Sequence, residues 1–125
     1  MRATIYDAHA RRVEGLSSER VNHLITEADG TAVFDATKLF QTLLEVIEEV
    51  LERAGDHAGS IRAVAMDTFV SNVLGVDATS QPVTPVFTYA DTRNRDDTQN
   101  LRTELGPEGI AEVHDRTGCL VHASY

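Results

Sequence analysis

The chain has 125 residues, with 20 Asp and Glu against 11 Lys and Arg, a net charge of −9 and a single cysteine, Cys119. That length suits one small domain or part of a larger one, with enough burial for one core. The acidic balance argues against binding nucleic acid or anionic lipid, which call for a basic stripe. A lone cysteine excludes an internal disulfide framework and fits a reducing cytoplasm. No apolar run is long enough to cross a bilayer, and MRATIYDAHARR lacks the apolar centre of a signal peptide.

Arg2–Asp7 alternates and carries the β formers Thr4, Ile5 and Tyr6, so a strand is expected there. A turn follows, and Val13–Gly15 begins a return strand. Arg20–Thr26 is a further strand candidate, and Asp29-Gly30 signals a turn ahead of a helix. The strongest pattern predicts a helix over Val33–Ala54. Leu39, Phe40, Leu43, Leu44, Ile47, Val50 and Leu51 recur at three- and four-residue steps, which places them inward on one face. Glu45, Glu48, Glu49 and Glu52 then form a solvated face, and Gly55 stops the helix.

Ile61–Met66 is almost continuously apolar, as in a strand covered on both faces. Strand, long helix and strand make a crossover unit, so the expected class is α/β, a mixed sheet with packed helices. Asn72–Asp77 reads as another strand, ATSQP as a turn, and Pro85–Tyr89 as a short strand. Asp91–Leu105 is helical, with Leu101 and Leu105 on its apolar side. A second short helix has Pro107 in its first turn and ends at Gly118.

The stretch VFTYADTRNRDD places Tyr89, Asp91 and Arg93 at the mouth of a strand. Tyr89 can offer an apolar ring face with a hydrated tip. Asp91 is placed to cap the next helix and Arg93 to pair with it, a structural corner. His114, Asp115, Cys119 and His122 offer donors that zinc accepts, but without the paired close spacings of a structural site. They read as polar surface groups and a small packed thiol, so no metal is assigned.

Three stretches in order, MRATIYDAHARRV, AVAMDTFVSNVLGVDATSQPVTPVFTYADTRNRDD and TGCLVHASY, together resemble the first domain of the FGGY family of carbohydrate kinases. The likeness covers nearly the whole chain, with the gluconate- and xylulose-kinase-like members most similar. YADTR stands where the family carries W-x-D-x-R, and Thr117, Gly118 and Tyr125 match its T-G-x-x-x-x-x-x-Y. The resemblance implies a partial ribonuclease-H-like, actin-like ATPase domain. It implies ATP- and Mg²⁺-dependent phosphorylation of a sugar, sugar acid or polyol hydroxyl.

By the same resemblance Val70, Ser71, Tyr89 and Tyr125 are substrate-binding positions. Val70 and Ser71 replace a larger, usually polar pair, which puts the sugar specificity of the family in question; they also read as the end of a buried strand. The family's D-x-G-T phosphate loop, its catalytic-base segment and its second domain have no counterpart here. The chain is therefore expected to be an incomplete N-terminal domain, residues 1–125, inactive alone and without a catalytic residue. Self-association through an exposed strand edge is expected. The alternative is a freestanding acidic α/β module that binds a partner protein or a sugar without catalysis.

Overall fold

Residues 1–123 are described in the computed structural model, and the chain divides into two compact units. The first comprises Met1–His23 and Asp35–Thr68, the second Leu24–Phe34 and Phe69–Tyr125. No helix among the described residues is long and apolar enough to cross a membrane.

In the first unit β1 (Arg2–Tyr6) pairs antiparallel with β2 (Arg12–Glu19). Asp7 builds the connecting turn by accepting from the backbone N–H groups of His9 and Arg11 at 2.8 and 2.9 Å. The register slips between Thr4 and Tyr6, and Gly15 in the facing strand takes φ 77°, which glycine tolerates best. The Arg20 N–H closes the hairpin on the Met1 carbonyl at 2.9 Å, so the strand expected over Arg20–Thr26 shrinks to Ile25–Thr26, in the second unit.

Helix α1 (Ala36–Ala54) packs on this hairpin. It starts later than Val33 because Val33 and Phe34 belong to a strand and the Asp35 carboxylate caps the Lys38 N–H at 3.0 Å. Gly55 ends it. The buried residues are Val46, Val50 and Ala54, with Leu39 and Leu43 half-buried beside them. This corrects the expected face: Val46, fully buried, is its centre, whereas Phe40, at 61 % exposure, and Leu44, Ile47 and Leu51 are exposed.

Glu49 also departs from the expected solvated row. Its carboxylate accepts from the buried Ser18 hydroxyl at 2.6 Å and from Arg20 at 2.6 Å, and it pairs with Arg53. The Ser18 hydroxyl first, then Arg20, lower its pKa. The polar cluster thereby ties α1 to β2. Glu45, Glu48 and Glu52 are exposed.

A 3₁₀ turn, Gly55–Ser60, follows α1. Ile61–Met66 is not the buried strand its composition suggests: it is irregular, with Val64 at 82 % exposure. An apolar run becomes a central strand only where neighbours accept its backbone bonds, and no described strand pairs with it.

In the second unit β4 (Ala32–Phe34) lies between β3 (Ile25–Thr26) and β5 (Val86–Phe87), all antiparallel. The strands thus form two small antiparallel sheets rather than the one anticipated set. Ala32, Val33 and Val86 form the small core, and Phe34 stacks on Phe69 with centroids 5.8 Å apart. Asn72–Asp77 makes only isolated bridges, Val73 to Phe87 and Val76 to Pro82. Helix α2 (Arg95–Thr117) is broken at Gly106, where φ 62° and Pro107 interrupt it, and Gly118 closes it in the left-handed conformation.

Candidate functional site

The corner after β5 hangs on one residue of β4. The Ala32 carbonyl accepts from the Thr88 N–H at 3.2 Å and the Thr88 hydroxyl at 2.7 Å. The Ala32 N–H donates to Asp91 Oδ2 at 3.1 Å. Next to it Thr92 N–H donates to the Gly30 carbonyl at 3.0 Å. Gly30 has φ 96°, and a Cβ there would collide with the Thr92 side chain, so the close approach requires glycine. The Asp29-Gly30 turn signal therefore also seats the later YADTR segment.

Asp91 and Arg93 form a bidentate ion pair, Arg93 Nε to Asp91 Oδ1 at 3.0 Å and Arg93 Nη2 to Asp91 Oδ2 at 2.7 Å. The Asp91 side chain is only 9 % exposed. The Arg93 guanidinium, with the Ala32 and Arg93 N–H groups, pulls the Asp91 carboxyl down to about 2, and the carboxylate in turn raises Arg93. The guanidinium also lies 5.5 Å from the Phe87 ring centroid, a cation–π contact. Asp91 does not cap α2 as its position suggests; Asn94 stands at the cap, without a side-chain bond. Asp91 is instead spent on Ala32 and Arg93.

Around this corner lies an open hollow of about 430 Å³. Its lining brings together Ser71, Tyr89, Asp91 and Arg93. The exposed Tyr89 ring sits on its edge, and the Tyr89 N–H is fixed by Asn72 Oδ1 at 3.3 Å. Ser71 holds the strained φ of 57°. Val70 does not line the hollow and is exposed; neither it nor Ser71 ends a buried strand. Tyr125 lies outside the described residues. Phe87, Thr88, Asn94 and Asp97 also line the hollow and were not singled out from the sequence.

Chemically the hollow offers aromatic faces, the Ser71 and Thr88 hydroxyls, the Asn94 carboxamide, the Asp91–Arg93 ion pair and the Asp97 carboxylate. Among the described residues no three His, Cys, Asp or Glu side chains gather to hold a metal ion.

The description "FGGY family of carbohydrate kinases, N-terminal domain" matches residues 1–125, so the chain belongs to the FGGY family of carbohydrate kinases. No curated protein sequence matches it. Among solved structures it is similar to a ligand-bound xylulose kinase from Lactobacillus acidophilus, at 17 % identity and TM-score 0.72, covering 98 % of this chain and 24 % of that one. A gluconate kinase from the same organism gives 17 % and 0.72, with 98 % and 23 % covered. A xyloylose kinase from Brucella ovis gives 16 % and 0.81, with 99 % and 24 % covered. These likenesses show the fold, the actin-like, ribonuclease-H-like α/β fold of such kinases. The chain spans about a quarter of the length of those structures.

Proposed function

We propose that the chain is an incomplete N-terminal domain of a cytoplasmic carbohydrate kinase, and that the Tyr89 hollow is one wall of its sugar subsite. The reading is carried by the family match over residues 1–125 together with the placing of Ser71, Tyr89, Asp91 and Arg93 around one hollow. The substrate is a sugar, sugar acid or polyol. Tyr89 covers an apolar ring face, Ser71 bonds a hydroxyl, and the Asp91–Arg93 pair holds the corner that aims Tyr89.

In the complete enzyme ATP with Mg²⁺ supplies the phosphoryl group. Among the described residues Asp91, the most shielded carboxylate, is committed to Arg93 and Ala32 and so is not offered to a metal–nucleotide group. Because the chain spans about a quarter of the kinases it is similar to, no turnover is expected from it alone, and an open wall binds sugar more weakly than about millimolar. It self-associates through the β1 edge, which no described strand covers.

An ADP-release assay with gluconate, xylulose and glycerol, run beside titration calorimetry, tests this. No turnover is expected from this chain, and turnover is expected when a family second domain and phosphate loop are joined to it. In that joined enzyme Tyr89→Ala lowers kcat/KM. Turnover by the chain alone, or an unaffected Tyr89→Ala enzyme, overturns the proposal. Light scattering across a dilution series tests the self-association.

A further inference from the structure

We propose that the second unit carries a further site, for a small multiply charged oxyanion, on the N-terminal half of α2. Arg95, Thr98, Gln99 and Arg102 recur at three- and four-residue steps and so share one helix face. The segment Val121–Ala123 lies along that face, and the two line an open hollow of about 380 Å³. A helical stripe turned toward another segment is ordinarily apolar. Here it is polar, and α2 buries none of its described residues.

Charge gives the hollow its sign. The chain carries a net charge of −9, yet among the described residues no Asp or Glu lines this hollow and two arginines do. At about 100° per residue, Asp96, Asp97 and Glu104 fall on the other sides of α2. Arg102 is held in place by donating from Nη1 to the Val121 carbonyl at 2.8 Å, which leaves its other N–H groups to a ligand. Arg95 makes no side-chain hydrogen bond or ion pair among the described residues. Two guanidinium forks with a hydroxyl and a carboxamide beside them match the oxygens of a phosphate ester or a polycarboxylate. The volume lies at the small end of small-molecule sites, the scale of one compact metabolite.

The test is an NMR titration of the whole chain with pyrophosphate, inorganic phosphate and citrate at constant ionic strength, with chloride as reference. Saturable shifts are expected at the amides of Thr98, Gln99, Arg102 and Val121. Arg95→Gln, which disturbs no described bond, should weaken binding by about tenfold or more, the worth of one charge-assisted hydrogen bond. Arg95→Lys should restore part of it. Arg116→Gln, removing the same charge further along α2, should leave the affinity within about twofold. Preference for pyrophosphate marks a phosphate ester as the ligand class, and preference for citrate a polycarboxylate. Absence of saturable shifts with all three anions overturns the proposal. So does an equal loss in Arg95→Gln and Arg116→Gln, or shifts centred on Ser71 and Tyr89.

Discussion

Removing the Asp91 carboxylate should loosen the second unit more than its position on an irregular corner suggests. Asp91→Ala takes away the acceptor of the Ala32 N–H, whose residue is only 4 % exposed, and of the Arg93 guanidinium. An orphaned buried N–H costs about 1–3 kcal/mol. Depression of the carboxyl from 3.8 to about 2 corresponds to at most about 2.5 kcal/mol and already includes the Ala32 bond. Arg93 is 39 % exposed, so solvent screening reduces that to about 1 kcal/mol. The expected cost is about 1–3 kcal/mol, read as a lower urea midpoint at constant slope.

Asp91→Asn retains an acceptor for Ala32 and should cost about 1 kcal/mol. Its pH dependence gives the sign. A depressed folded pKa means that the unfolded state binds more protons in acid, so the contribution is full above the unfolded value. It is lost as pH falls through the folded value. The gap between the parent chain and Asp91→Asn should be constant between about pH 7 and 5, then close between about pH 4 and 2. A cost below about 1 kcal/mol for Asp91→Ala, or a gap unchanged into acid, would refute the coupling of Asp91 to β4.

Val46→Ala should cost about 2 kcal/mol from two lost buried carbons and the cavity they leave, against less than about 1 kcal/mol for the more exposed Ile47→Ala. Denaturant midpoints in the reverse order would reject the orientation of α1. Gly30→Ala should cost more than about 1–2 kcal/mol, since φ 96° and the Thr92 side chain both oppose a Cβ. Hydrogen exchange at the Thr92 amide, bonded to the Gly30 carbonyl, should accelerate; unchanged protection there counts against the close approach. Ala10→Gly and Ser80→Gly should leave stability equal or raise it by up to about 1 kcal/mol, because both residues hold a left-handed φ, near 60°. Thermal melts showing a clear loss would contradict that backbone assignment.

Features set by neighbours within about four residues were readable from the sequence alone. The α1 repeat, its stop at Gly55, the Asp29-Gly30 turn, the break at Gly106-Pro107 and the stop at Gly118 all belong there. Each depends on a local hydrogen bond or a backbone preference that the residue type itself states. Three stretches in order, with YADTR in the middle one, were also enough to place the chain near its family.

The seven-residue apolar repeat put the inward side of α1 one stripe away from the side that meets β2, because apolar residues occupy two adjoining stripes. Packing on the β1–β2 hairpin selected Val46 and Val50 and left Phe40 and Leu44 outside. Ile61–Met66 has the composition of a strand, but strand formation needs backbone partners elsewhere in the chain, and periodicity cannot report them. Asp91 lies beside a helix start, so local reasoning made it a cap. The tertiary structure gave its oxygens to Arg93 and to Ala32, 59 residues away, because a buried N–H in β4 had to be satisfied.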